Sequence, residues 1–261
     1  MLIDAHCHLD FAAFDADREA VFERAHAAGV GHFVVPGTTR SGWPGVLALA
    51  QRDDVSACLG LHPYFMDAHR LESDADIVTL RAALDAALTE HPDVVAVGEC
   101  GIDARFGETL ATQWQLFDAQ LRLAKQYKLP VVIHCVHAND PVAKRLRQLA
   151  LPAGGLIHAF SGSPQQARAF IELGFKLGLG GAVTYPRAKR IQRMVKALPP
   201  DGFVLETDSP DMPLCGFQGE RNEPARVARV GAHVAALRDV FPSTIAAQST
   251  ANARALFSLS P

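Results

Sequence analysis

Leu2-Ile3-Asp4-Ala5-His6-Cys7-His8 is the stretch that decides the fold. It is a short apolar run closing on two histidines one residue apart. Side chains alternate between the faces of a strand, so His6 and His8 point the same way and can serve one ion. Five further strings lie downstream: His62-Pro63, Gly98-Glu99-Cys100-Gly101-Ile102-Asp103, Pro130-Val131-Val132-Ile133-His134, His158-Ala159-Phe160-Ser161-Gly162 and Glu206-Thr207-Asp208-Ser209-Pro210. In most of them a histidine or carboxylate ends a β-branched apolar run. Residues at the ends of many strands converge only in a barrel or an open parallel sheet. In a barrel they meet at the active-site mouth.

Outward from these strings, strand-like and helix-like runs alternate. Strands are expected at 2–8, 30–35, 55–61, 94–98, 130–133, 155–158, 175–179 and 203–206. Helices are expected at 17–28, 42–52, 75–90, 109–127, 140–149, from Ser163-Pro164 onward, at 187–197 and 224–238, with a terminal helix at 243–257. Strict alternation implies a parallel sheet. Eight units favour a closed α/β barrel, a (β/α)₈ TIM barrel forming one domain over 1–261. A dinucleotide-binding sheet is the alternative for alternation alone, but no G-x-G-x-x-G follows the first strand.

The 261 residues suit one such barrel, and the hydrophobic fraction of 49% supplies a core. No apolar run reaches membrane-spanning length. A ligand pair so close to Met1 leaves no room for a signal peptide, so a cytoplasmic location is expected. The net charge of −3 excludes nucleic-acid binding through a basic bulk field; phosphate affinity needs a local source. Cys7, Cys58, Cys100, Cys135 and Cys215 are odd in number and widely spaced, which argues against a disulfide framework. Strand parity turns Cys7, Cys100 and Cys135 toward the helix layer, away from the neighbouring ligands.

The candidate site is set by position. Glu99, between two glycines, can bridge two metals with one oxygen on each. His134 and His158 end strands 5 and 6 and can hold the second ion. Asp208 ends strand 8; it can bind the first ion and accept a proton from bound water. Glu206 shares its parity but lies deeper, where it would orient a ligand. His62 is expected to face the substrate from the mouth. Of the remaining histidines, His32 falls inside strand 2, while His26, His69, His91, His137 and His233 fall in helices or loops.

Together these strings resemble the TatD family of metal-dependent deoxyribonucleases, within the amidohydrolase superfamily. G-E-x-G-[IL]-D, H-x-F-S-G and E-T-D-[AS]-P mark that family, and the resemblance runs from Leu2 to about Phe257. The stretch from Glu206 to Pro224 resembles its bacterial YjjV-like subgroup. The resemblance implies His6, His8, Glu99 and Asp208 on one metal, and Glu99, His134 and His158 on the other, with His62 near the scissile group. Many superfamily relatives bridge their metals with a carboxylated lysine; here no lysine stands at a strand end and Glu99 fills that role. Family members often carry Ser-Arg after the strand-5 histidine, where this chain has Cys135-Val136. Arg221, in the long loop after strand 8, is then the candidate for phosphate contact.

The expected activity is divalent-metal-dependent hydrolysis of phosphodiester bonds in DNA, by a deoxyribonuclease or exonuclease acting on single-stranded or damaged strands. Two dications would share a bridging hydroxide and Asp208 would serve as general base. Mixed histidine and carboxylate ligands suit Zn, Mn, Ni or Co, and an oxygen-rich half suits Mg. The rival enzyme reading is hydrolysis of an amide, lactone or other ester at the same centre. A non-catalytic metal-binding scaffold has no need of an open dinuclear site. No membrane and no obligate protein partner is expected.

Overall fold

The computed structural model describes residues 1–69 and 74–260; Pro261, the end of the expected domain, lies outside them. Among the described residues eight parallel strands form one sheet in the order of the chain. They are β1 (Leu2–Asp4), β2 (Val30–Pro36), β3 (Val55–Leu59), β4 (Ala96–Asp103), β5 (Val131–Val136), β6 (Gly155–Ile157), β7 (Phe175–Leu179) and β8 (Phe203–Leu205). Between and after them lie α1 (Arg18–Ala27), α2 (Trp43–Leu49), the single turn α3 (Met66–His69), α4 (Asp74–Glu90), α5 (Leu110–Tyr127), α6 (Asn139–Leu149), α7 (Pro164–Ile171), α8 (Lys189–Ala197), α9 (Val227–Arg238) and α10 (Pro242–Phe257).

The sheet closes on itself at the β1–β8 seam, through isolated hydrogen bonds rather than a regular ladder. The Ala5 amide donates to the Leu205 carbonyl at 3.0 Å, Asp208 to His6 at 2.9 Å and His8 to Ser209 at 2.7 Å. That irregular seam is why β1 stops at Asp4, short of the expected 2–8: His6 and His8 pair with the loop after β8 instead of continuing a strand. Below the seam α10 braces the barrel. Asn252 donates to the Phe203 and Pro200 carbonyls, the Ser249 hydroxyl accepts from the Leu205 amide, and Thr250 donates to the Met1 carbonyl.

Strand parity divides the apolar residues into two shells. Ile3, Ala5, Val34, Cys58, Ala96, Val132, Leu156 and Val204 fill the barrel interior, plugged from below by Ala253, Leu256 and Phe257 of α10. Phe33, Val35, Leu59, Val97, Ile133, Leu177 and Leu205 face outward and pack with helix residues such as Phe22, Leu121, Phe170 and Val230. Cys7 and Cys100 belong to this outer shell, as expected. Cys135 also packs against this shell, partly buried, with its thiol donating to Asn139 Oδ1 at 3.3 Å, and it lines the mouth as well.

β4 is longer than the expected 94–98, and its register explains Glu99. Val97 pairs with Val131 but Cys100 pairs with Ile133, so β4 carries one extra residue. A bulge of this kind reverses the facing of the residues beyond it. With Ala96 inward, a regular strand would also turn Gly98 and Cys100 inward. The extra residue sends Cys100 outward and leaves the Glu99 carboxylate in the barrel. Gly101 (φ +147°) permits the close approach: a Cβ there would lie 1.9 Å from the His134 carbonyl oxygen.

Candidate metal centre

His6, His8, Glu99 and Asp208 converge at the top of the barrel. His6 Nε2 lies 3.2 Å from Glu99 Oε2 and 3.3 Å from Asp208 Oδ1. His8 Nε2 lies 3.4 and 3.5 Å from the same two oxygens. The two Nε2 atoms are 3.3 Å apart. Donors about 2.1 Å from one tetrahedral ion stand about 3.4 Å from each other. Five edges of the tetrahedron formed by these four atoms therefore have the length that a bound transition-metal ion requires.

The other oxygen of Glu99 faces a second set. Oε1 lies 2.8 Å from His158 Nε2, 2.9 Å from His62 Nε2 and 3.4 Å from His134 Nδ1, and the last is 3.2 Å from His158 Nε2. Glu99 is buried, and neither oxygen has a partner of hydrogen-bonding geometry among the described residues. A buried carboxylate without such partners is costly unless a cation compensates it. The donor chemistry thus fits divalent metal, and His6-His8-Glu99 and His62-Glu99-His134 each group within 4.8 Å.

Hydrogen bonds to the far ring nitrogens sort the histidines. His134 Nε2 meets Asp103 Oδ2 at 3.1 Å, which places the proton there and leaves Nδ1 free as a lone pair. His62 is set the other way: its Nδ1 accepts the Tyr64 amide at 2.9 Å, so Nε2, 2.9 Å from Glu99 Oε1, carries the proton. In that tautomer His62 is a donor rather than a metal ligand, and burial pushes it down to about 4, which keeps it neutral. Burial opposes ionisation of Glu99, yet facing histidines, His158 and His6 among them, hold it well below the usual carboxylate range. Burial likewise opposes the charge on Asp208, and hydrogen bonds to His6 and His8 outweigh it.

Asp208 has a left-handed backbone (φ +56°), a strained state for a residue other than glycine. Its neighbour Thr207 holds it there, donating through its amide (2.9 Å) and hydroxyl (2.6 Å) to the buried Asp4. Glu206 lies beneath, fully buried, where its Oε1 accepts the Ala159 amide at 2.5 Å. Burial pushes its carboxyl up to about 8. It groups with His6 and His158, which suits the expected orienting position.

Above the cluster opens a cavity of about 510 Å³ lined by Phe11, Tyr64, Phe65, Arg105, Cys135 and Met212 together with the donor residues other than His6. Phe11 stacks on His8 at 4.6 Å and Phe65 meets His62 edge-on at 5.6 Å. Arg221 is not at this mouth, contrary to expectation. Both its terminal nitrogens bind Asp17 at 2.7 Å, and it lies over the Phe14 ring. It clamps the loop after β8 to the start of α1. The arginine at the mouth is Arg105, which grips Asp103 at 2.9 and 2.5 Å yet stays half exposed. The Ala104 amide donates to the Val136 carbonyl, which puts Arg105 at the corner where Cys135-Val136 stands. The signal for it was Asp103-x-Arg105 directly after the Glu99 string, legible only once β4 is known to run to Asp103.

Residues 3–258 match the family described as TatD related DNase. The chain belongs to the TatD family. It is 44% identical over 260 residues, 98% of each chain, to the uncharacterized metal-dependent hydrolase YjjV of Escherichia coli K12. The crystal structure of that YjjV superposes with a TM-score of 0.92, covering 99% of this chain and 98% of that one. The chain is also 32% identical over 262 residues, 97% of each, to the 3'-5' ssDNA/RNA exonuclease TatD of Rahnella sp.. It is a metal-dependent hydrolase of this family, built on the expected barrel. No helix among the described residues is long and apolar enough to cross a membrane.

Proposed function

We propose that this chain hydrolyses phosphodiester bonds of DNA, with one divalent ion held by His6, His8, Glu99 and Asp208 and a second by Glu99, His134 and His158. The observation that carries the reading is Glu99, a buried carboxylate whose two oxygens face separate donor sets. Zn, Mn, Ni, Co or Mg would supply Lewis-acid charge at the phosphoryl oxygens and a water able to ionise near neutral pH. Asp208 lines the open cavity and is the carboxylate positioned to take the proton from the attacking water and return it to the leaving oxygen. His62 donates from Nε2 toward the scissile group. Arg105 offers a guanidinium to a phosphate at the strand-5 corner, where the usual arginine is absent. Asp103 holds His134 in the tautomer that frees Nδ1.

The named activity of the TatD relative supports single-stranded nucleic acid as the substrate class, with exonucleolytic cleavage. The free cysteines suit a cytoplasmic setting. A second reading, hydrolysis of a small ester, lactone or amide, draws on the apolar side of the same mouth: Phe11, Phe65, Met212 and Val136. Metal-reconstituted protein should be screened against phosphodiester, phosphomonoester, amide and lactone substrates. Turnover of single-stranded DNA well above the others supports the proposal; turnover confined to the lactone or amide rejects it.

A further inference from the structure

The low net charge demands a local source of phosphate affinity, and Arg221 does not provide it. Another element does. Between Glu172 and Asp201 the chain contains no acidic residue, while Arg187, Lys189, Arg190, Arg193 and Lys196 fall within ten positions. All five are exposed. None has a carboxylate partner among the described residues, whereas Arg18, Arg24, Arg52, Arg105, Arg145 and Arg221 all do. Lys189, Arg193 and Lys196 stand at i, i+4 and i+7 and share a face of α8.

Arg187 and Arg190 connect this segment to the mouth, while Lys189, Arg193 and Lys196 lie on the solvent face of α8 beyond them. Ala182 and Met212 line both the 510 Å³ cavity and an adjoining groove of about 360 Å³, whose far wall is Tyr185, Arg187, Ala188 and Ile191. Arg190 donates to the carbonyl of Ser161, itself a lining residue of the mouth, at 2.8 Å. The Arg187 guanidinium lies 5.7 Å from the centre of the Tyr185 ring. An anionic chain leaving the metal centre through this gap therefore meets the Tyr185 ring and Arg187, with the exposed cations of α8 within reach beyond them. A chain whose net charge is −3 concentrates positive charge beside its active site.

We propose that the groove from Tyr185 to α8 binds the phosphate backbone of a single nucleic-acid strand while its end occupies the metal centre. The inference rests on the proposed function and adds to it: the enzyme grips several phosphates beyond the one it cleaves. Charge complementarity identifies the occupant. α8 is about 13 Å long at its rise per residue, enough for a few phosphates. Contacts of this kind release counterions, so affinity for a single strand falls with salt by about 0.7 log units per phosphate contact per decade.

The test compares wild type with Arg187→Gln/Lys189→Gln/Arg193→Gln/Lys196→Gln. Arg190 is kept because it ties α8 to Ser161. The control variant, Arg81→Gln/Lys128→Gln/Lys144→Gln/Arg147→Gln, makes the same charge change elsewhere. Thermal melting checks that each folds. The readouts are KM on oligo-dT from two to fifteen nucleotides, and binding of a fluorescent phosphorothioate oligo-dT across a potassium chloride series. Wild type should bind longer strands more tightly. The α8 variant should lose at least tenfold on the longest strand, lose most of the length dependence, and show a salt slope smaller by about 2 to 3. The control should track wild type. Equal losses in both variants would assign the effect to bulk charge and overturn the proposal, as would an α8 variant indistinguishable from wild type. Wild type that cleaves dinucleotides with no gain in KM on lengthening would sink the groove but leave the phosphodiesterase reading standing. Failure on every oligonucleotide would sink both. Binding to phosphatidylserine vesicles but not to oligo-dT would give the face to a lipid surface and overturn the assignment.

Discussion

At the scale of single residues, three side chains near the centre carry separable proposed duties. Asp208 is assigned proton transfer as well as coordination. Asp208→Asn keeps the size and one ligand oxygen, and asparagine tolerates a left-handed backbone. Turnover on single-stranded DNA should fall at least about a hundredfold, as loss of a general base predicts. Saturating metal should not restore it; full recovery would reduce Asp208 to a ligand and move the base to His62. Asp103 is assigned a positioning role, through its contact with His134 Nε2. Asp103→Asn can no longer accept reliably from His134 Nε2, so metal affinity measured by titration should weaken by about 10- to 100-fold. Unchanged affinity would show that His134 is held by packing alone. Arg105 was outside the sequence-level expectation because the motif was read as ending at Asp103, and because Arg221 occupied the loop where a phosphate ligand was sought. Both arginines are equally plain in the sequence. Which one faces the mouth depends on Asp17, a residue 204 positions from Arg221, reaching it first.

At the scale of elements, the strand-end pattern was sound but the strand boundaries were not. His6, His8, His158 and Asp208 lie just past their strands, while Glu99 lies well inside β4. The bulge that turns Glu99 inward is a pairing property of β4 with β5 and has no signature in β4 alone beyond its two glycines. Gly101→Ala tests it. The new methyl would collide with the His134 carbonyl, at a backbone angle alanine resists, so stability should drop by more than about 1 kcal/mol in urea unfolding. Metal content should fall with it, because Glu99 and His134 share that ladder. Elsewhere, β2 and β3 are joined by His32 Nε2 and Ser56 Oγ at 2.9 Å. Burial lowers the His32 pKa. The unfolded imidazole therefore takes up its proton at a higher pH than the folded one, and His32 subtracts stability as pH falls through about 6.5. Removing it in His32→Gln should make stability less sensitive to acid. Denaturant midpoints at pH 7.5 and 5.5 would show a smaller drop for the variant; equal drops would mean that His32 titrates alike in both states.

At the scale of the whole molecule, the barrel brings six candidate donors together from widely separated positions; if they hold the two ions proposed, metal and fold should be thermodynamically linked. At free metal about 100-fold above Kd, one ion that binds only the folded chain adds about 2.7 kcal/mol. For a chain of this size, calorimetry with and without chelator should then show Tm differing by roughly 5 to 10 °C. Glu99→Ala should remove most of that difference; an unchanged difference would show that the ions do not share Glu99. The sequence by itself determined the alternation of strands and helices, the convergence of ligand residues at one end of a parallel barrel, and the family. These depend on local periodicity and on short strings that keep their meaning wherever they are placed. Only the tertiary structure decided how the seam closes without a ladder, which way Glu99 points after an extra residue in β4, and which arginine reaches the mouth. It also decided that Arg187 and α8 lie beside the mouth, through the groove shared with Met212 and the contact of Arg190 with Ser161. Each of these is a contact between segments distant in the chain, fixed by register and packing rather than by any propensity of the residues concerned.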